Sequence, residues 1–338
     1  MSTRVRPPAR AGRVDAARRA RTLIFLVPLL ASLAGGAALA GPPEAVSRLS
    51  AEEAADAGLA IDLISHPLGS GAAVEMRLPQ KAAGARMLAM ASDGSSVAIA
   101  DRYGVEQAAL VLARSDGSQA RVQMPGLLAA GYAPAGDWLA VIDGRGALWQ
   151  VDAASGGARP LADGPFLGSP LVQLDGSILL LSVSSVEAPI VSELVQLDPD
   201  SGEVEPLADE QLVYAAFPMA DGSIAIAAHE AGTTVVRRIS GARDELMADL
   251  GPGATEVAVA TNGRIAFVRE RRGVFLLDRP GAPARLLAAG SDPAFDASGS
   301  NLIVRQDGST MVLTLDGSPI ARIPGDAAFV VCGEECGS

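Results

Sequence analysis

Short apolar runs, each closed by Gly, Asp or Ser, recur along most of the chain, and the rhythm is plainest around Gly131 to Leu161. Leu128 to Tyr132 is a first run, and Ala135-Gly136-Asp137 turns it back. Leu139 to Ile142 is the second, ended by Asp143-Gly144-Arg145-Gly146. Leu148 to Val151 is the third, closed by the turn from Asp152 to Gly157, and Ala158 to Leu161 is the fourth. Runs of about four to six residues bounded in this way are strands joined by tight hairpins. Four antiparallel strands about every forty residues make one blade of a radial repeat.

The register follows from the first turn of each unit, which holds Gly94, Gly136, Gly176, Gly222, Gly263 and Gly299, at spacings of 42, 40, 46, 41 and 36 residues. Apolar second runs come after these turns, at Val97 to Ala100, Ile178 to Leu181, Ile224 to Ala228, Ile265 to Val268 and Leu302 to Val304. Another turn recurs in phase, at Ser115-Asp116-Gly117, from Asp198 to Gly202, from Asp278 to Gly281 and at Asp316-Gly317. Two turn signatures kept in phase predict an all-β fold. The stretches Tyr132 to Val141 (YAPAGDWLAV) and Phe295 to Val304 (FDASGSNLIV) resemble the TolB-like (WD40-like) β-propeller repeat, a superfamily likeness covering about residues 86–325. That resemblance implies an extracytoplasmic propeller of a kind that mostly serves as a binding or docking platform.

Ahead of the repeats, Leu59 to Ile64 and Ala73 to Leu78 look like two strands. Beyond the sixth unit, Ala327 to Val331 looks like one more first strand, with Gly333 placed 34 residues after Gly299. A ring must cover its sheet edges. The expectation is therefore a seven-bladed β-propeller of four-stranded antiparallel blades, closed by the two chain ends within one blade. In that blade the C-terminus supplies the first strand and the N-terminus the third and fourth. Six blades, with the terminal strands packed outside, is the alternative. Residues 59–338 form the propeller domain, and 41–58, rich in Ala and acidic residues, is a flexible segment in which a short helix can form.

Residues 1–40 read as a signal peptide. Seven arginines and one aspartate precede an uncharged run, Thr22 to Ala40, which ends in Ala38-Leu39-Ala40. A basic leader, an apolar middle and a small-x-small exit direct secretion, with cleavage after Ala40. An uncleaved anchor is the rival. The leader carries +6, so of the formal charge of −12 the remainder carries −18. Such an acidic surface disfavours nucleic acid and anionic membranes. The expected partner is a protein, peptide or glycan outside the cytoplasm, met by a monomer.

Chemistry-bearing residues are few. Cys332 and Cys336, at the end of an exported chain, suggest a local disulfide. His66 and His229 are the only histidines, and nothing in the sequence pairs them. No nucleophile elbow, metal-ligand spacing or cofactor motif is present, so no catalytic, cofactor-binding or metal residues are expected. In a four-stranded meander the second connection and the inter-unit links share one face. That face varies most here and is the candidate interaction face. Its named residues are Tyr103, Asp143, Arg145, Phe166, Val186, Pro189, Ile190, His229, Arg271 and Arg272. The insertion from Val183 to Val191 is apolar where a hairpin tip is usually polar. The functional expectation is a non-enzymatic interaction platform. The alternative is a hydrolase or lyase whose site gathers residues such as Asp143, His229 and Arg271 at the channel mouth.

Mass spectrometry of secreted protein is expected to show an N-terminus at Gly41 and a mass two hydrogens short at the cysteines. An intact leader with free thiols would contradict both expectations.

Overall fold

A strand lying between two neighbouring sheets has to hide both of its faces, and the second strand of every repeat does so. The computed structural model describes residues 46–68, 71–77, 84–185, 191–207, 212–241, 243–269, 273–296, 298–324 and 329–332. All lie within one compact unit, Leu39–Ser338. The expected leader and the residues either side of its cleavage point fall outside them.

The described chain opens with β1 (Val46–Leu49), α1 (Ala51–Asp56), β2 (Asp62–Leu68) and β3 (Gly71–Arg77). Six four-stranded meanders follow. The first is β4 to β7, at Arg86–Met90, Ser96–Ala100, Ala108–Arg114 and Gln119–Met124, and the second is β8 to β11, at Ala129–Tyr132, Trp138–Ile142, Leu148–Asp152 and Ala158–Ala162. The third is β12 to β15, at Phe166–Val172, Ile178–Ser185, Val191–Leu197 and Val204–Pro206. The fourth is β16 to β19, at Leu212–Pro218, Ile224–Glu230, Thr233–Ser240 and Arg243–Gly251. The fifth is β20 to β23, at Ala254–Val259, Ile265–Arg269, Val274–Leu277 and Arg285–Ala288. The sixth is β24 to β27, at Ser291–Phe295, Asn301–Gln306, Ser309–Thr314 and Pro319–Pro324, and β28 (Phe329–Cys332) ends the chain.

Alternate residues of each second strand belong to different cores. On β5, Ala98 and Ala100 pack toward the second meander while Val97 and Ile99 pack the other way. On β9, Leu139 and Val141 face the first meander, and Ala140 and Ile142 face the third. The same division holds for Ile178 and Leu180 against Leu179 and Leu181, and for Ile265 and Phe267 against Ala266 and Val268. The second, third, fourth and fifth meanders are thus each filling between two others. The inner strands touch in succession, β4 with β8, β8 with β12, and onward to β20 with β24, which is the arrangement of a propeller.

The repeated turn explains itself at this level. Asp175 Oδ1 accepts from the Ser177 N–H at 3.0 Å and its hydroxyl at 2.7 Å, and Asp221 does the same with Ser223 at 3.1 and 2.6 Å. The Ser177 hydrogen bonds hold the Asp175 carboxyl below its usual range. Asp and Ser two apart around a glycine therefore close the first hairpin with side-chain acceptors.

Sheet pairing corrects the expected blade count. Four meanders, the first, second, fifth and sixth, each form their own sheet. The third and fourth are fused into one eight-stranded sheet by a single parallel bridge, Ser192 to Leu212. The chain ends form a three-stranded sheet, not a four-stranded one. Seven separate four-stranded blades, or six, are therefore not what the hydrogen bonds make. The chain ends do pair, with Val331 opposite Ala73 and Val330 opposite Val74. Their order differs from expectation: β3 lies between β2 and β28, because it hydrogen-bonds both. Within 41–58, β1 adds to the outer edge of β7, with Val46 opposite Val122. Helix α1 begins in a capping box, where Ser50 Oγ accepts from the Glu53 N–H and Glu53 Oε2 accepts from the Ser50 N–H at 2.7 Å. No helix among the described residues is long and apolar enough to cross a membrane.

Gly131 marks where inner strands come closest, since a Cβ there would lie 2.0 Å from the Pro170 carbonyl oxygen of β12. Backbone cannot yield as a flexible side chain does. Gly131→Ala is expected to lower stability by about 1 to 3 kcal/mol in chemical denaturation. An unchanged midpoint would contradict the close approach of β8 and β12.

Candidate functional site

The residue opening each inner strand stands opposite a residue at or near the end of its second strand, which gives one comparable corner per meander on the link-bearing face. The pairs are Arg86 with Ala100, Ala129 with Ile142, Phe166 with Ser182, Leu212 with His229, Ala254 with Arg269 and Ser291 with Arg305. Near these corners most inner strands carry a bulge, including Val213/Ala215 on β16, Thr255/Ala258 on β20 and Ser291/Ala294 on β24. A bulge re-aims a side chain. Glu256 and Asp292 hold left-handed backbone at φ 50° and 49° in their bulges, and the Asp292 N–H donates to Glu256 Oε2 at 2.7 Å.

Tyr214 is the bulged residue of β16, and its ring turns toward the fifth meander to join the cluster of Ile265, Phe267 and Phe275. The exposed His229 ring lies against it, with centroids 4.9 Å apart and planes inclined by 31°. Thr234, opposite His229 in the β17–β18 hairpin, donates its hydroxyl to the Ala254 carbonyl at 2.8 Å and sits 3.2 Å from His229 Nδ1. A hydroxyl has one proton, and the carbonyl can only accept. Nδ1 must therefore carry the hydrogen between them, so in the neutral ring Nε2 is the acceptor.

Ala254 stands opposite Arg269, so the contacts run on across the seam between the fourth and fifth meanders. The Arg269 guanidinium donates to the Leu250 carbonyl at 2.8 Å and lies 5.1 and 5.3 Å from the ring centroids of Phe267 and Phe275. Among the described residues it has no carboxylate partner. Arg269 Nε in this seam is buried without a hydrogen-bond partner, and the Tyr214 hydroxyl lies against the Thr234 side chain. Burial pushes the Tyr214 phenol up to about 12, so it is a neutral donor across the physiological range.

The residues expected on this face separate into three groups. His229 and Arg145 are exposed, and Tyr103 is half-buried beneath the Arg86 guanidinium, 4.4 Å from the ring centroid. Asp143 and Phe166 are corrected to the interior. Asp143 is 0% exposed, and its carboxylate accepts from the Arg145 and Ala147 N–H groups at 2.8 and 3.0 Å and from Trp149 Nε1 at 3.0 Å. It closes its own hairpin and shares no site with His229. Phe166 fills the core between the second and third meanders. Val186, Pro189, Ile190, Arg271, Arg272 and Cys336 lie outside the described residues, and Cys332 enters as backbone of β28. Tyr214 and Thr234 were not among the expected residues. Counting strand positions back from the Gly222 turn would have put Tyr214 near His229, but nothing in the sequence announces the bulge. Among the described residues no three His, Cys, Asp or Glu side chains group as a metal site would require.

Known structures share this arrangement. An oligogalacturonate lyase in complex with manganese superposes with a TM-score of 0.56 at 13% identity, covering 82% of this chain and 84% of that one. The tricorn protease gives 0.57 at 11%, over 88% of this chain and 36% of that one. The β-propeller domain of the Trilobed protease from Pyrococcus furiosus gives 0.54 at 11%, over 77% and 94%. The fold is that of a β-propeller. At these identities the likeness is one of fold alone. Neither protein-family models nor curated sequences give a match.

Two outcomes follow. Asp143→Ala strands three donors and is expected to cost about 3 kcal/mol in chemical denaturation, with Asp143→Asn milder because one oxygen remains; a loss below about 0.5 kcal/mol for the alanine would contradict the buried role. For Tyr214 the folded pKa, about 12, lies above the ordinary 10.0. Its contribution to stability is therefore complete below pH 10 and is lost as pH rises toward 12. Tyr132, also raised to about 12 by burial, follows the same course. Tyr214→Phe is expected to remove one late step from the tyrosinate absorbance titration; removal of a step at the ordinary phenol pKa would contradict the burial.

Proposed function

We propose that this protein is an exported, non-enzymatic binding module, whose propeller presents the link-bearing face to a protein, peptide or glycan in the periplasm or outside the cell. The observation that supports it best is the seam between the fourth and fifth meanders. There an exposed imidazole lies against a largely buried phenol, beside an arginine that has no carboxylate partner among the described residues. Export rests on the N-terminal sequence pattern, and the acidic remainder of the chain favours a soluble monomer after leader removal.

A hydrolase or lyase is the second reading. His229, with Nε2 as a base, beside the Tyr214 phenol is a pair able to move a proton, and propellers occur within a lyase and peptidases of similar fold. The two readings part on one experiment. Cross-linking and co-purification from the native envelope is expected to recover a partner that is lost with Arg269→Gln and retained with Arg279→Gln, an exposed residue of the β22–β23 turn on the opposite side. Recovery unaffected by Arg269→Gln would overturn the assignment of the seam. Turnover of a recovered ligand that is abolished by His229→Ala would replace binding with catalysis.

A further inference from the structure

The chain holds two asparagines, Asn262 and Asn301, and the fold treats them oppositely. Asn301 is 6% exposed, precedes the buried Leu302 and donates its side-chain amide to Asp296 Oδ2 at 2.9 Å. Asn262 is exposed and precedes Gly263 in the turn that joins β20 to β21. The backbone demands glycine there, at φ 86°, and crowding does not, since a Cβ would meet nothing closer than Met219 Cε at 3.7 Å. At the same place in three other meanders stands an acid. Asp93, Asp175 and Asp221 each accept from the N–H two residues on, at 2.8, 3.0 and 3.1 Å. Asn262 Oδ1 makes the same bond, to the Arg264 N–H at 3.3 Å.

We propose that Asn262 is a site of spontaneous covalent modification, which converts it to the aspartate that its turn is built to hold. The Gly263 amide nitrogen gives its proton to solvent base and bonds to Asn262 Cγ, while the Cγ–Nδ2 bond breaks and Nδ2, taking up a proton, leaves as ammonia. Water then opens the five-membered imide and Gly263 recovers its hydrogen. Opening at Cγ gives aspartate, and opening at the backbone carbonyl carbon gives isoaspartate. The sum is asparagine and water to aspartate and ammonia. Glycine presents no side chain to hinder the attack, but its N–H is held by the Ala260 carbonyl at 2.9 Å, so opening of the turn sets the pace. The product meets a cation. Arg264 stands where the other three turns carry Ser95, Ser177 and Ser223, and its guanidinium donates to the Gly299 carbonyl at 3.1 Å, with no carboxylate partner among the described residues. Asn262 Nδ2 lies 3.5 Å from that same carbonyl. Conversion therefore exchanges one long contact for a negative charge beside a guanidinium, at the seam of the fifth and sixth meanders. Aspartate leaves the pairing of Val259 with Ile265 across the turn as it is, whereas isoaspartate inserts a backbone carbon between them.

Ageing the leader-free protein at mildly alkaline pH, folded and unfolded in guanidinium chloride, tests this by peptide mapping with fragmentation that tells aspartate from isoaspartate. In the folded protein the mass shift of amide-to-acid exchange is expected at Asn262, with Asn301 converting at least about tenfold more slowly. Aspartate is expected to form a larger share of the product than in the unfolded chain. Asn262→Asp is expected to melt no lower than the parent, and to lose ground once Arg264→Gln removes the cation. An Asn262 that stays intact in the folded protein while the unfolded chain converts, or an Asn301 that keeps pace with it, overturns the assignment of the site. Isoaspartate in the same share folded and unfolded, or an Asn262→Asp protein that melts below the parent, overturns the fit of the product to the turn.

Discussion

Two-sided burial of the second strands is the constraint from which the rest of the structure follows. Each of these strands gives alternate residues to different cores, so the second to fifth meanders are each the wall of two interfaces at once. Burying one Val, Leu or Ile side chain contributes about 1.5 to 3 kcal/mol, and such positions recur on both faces of each second strand. A strand that is apolar on both faces is not held in register by hydrophobicity, because a slip by one residue still buries apolar groups. The turns supply that information. Asp175 with Ser177 and Asp221 with Ser223 lock the hairpin where the strand must begin, which is why the turn residues repeat more faithfully than the strands they join.

A stack held in this way leaves freedom only at strand ends and links. His229, Arg269 and Arg305 stand at comparable ends, and the bulges of β16, β20 and β24 adjust which way the neighbouring side chains point. The seam between the fourth and fifth meanders then acquires its character from one proton. Because the Thr234 hydroxyl gives its hydrogen to the Ala254 carbonyl, the His229 tautomer is set, and with it the availability of Nε2. The left-handed backbone at Glu256 and Asp292, costing about 1 kcal/mol or more each, is retained beside this region and is tied together by their mutual hydrogen bond.

Much of the fold was legible in the sequence. The expected second strand at Val97 to Ala100 is found at Ser96–Ala100, and that at Ile265 to Val268 extends only to Arg269, because apolar runs between Asp-Gly turns leave little room for another structure. Less legible was anything depending on a contact between units. The bridge from Ser192 to Leu212 joins two meanders through a single residue pair and leaves no periodic trace. Asp143 resembled a surface acid because Asp-Gly-Arg-Gly is a polar turn, yet Trp149, six residues on, draws the carboxylate inward. Tyr214 was hidden for the opposite reason, since an aromatic residue inside an apolar strand looks like core until the bulge is seen.

The central claim is that doubly buried second strands form the rigid frame and that the pairing of β3 with β28 joins its ends. Hydrogen exchange read by mass spectrometry, on the leader-free protein and on a form ending at Pro324, tests it most directly. The account predicts slowest exchange in β5, β9, β13, β17, β21 and β25, with β3 amides exchanging faster once residues 325–338 are removed. Fast exchange in the second strands, or a β3 indifferent to the truncation, would contradict it.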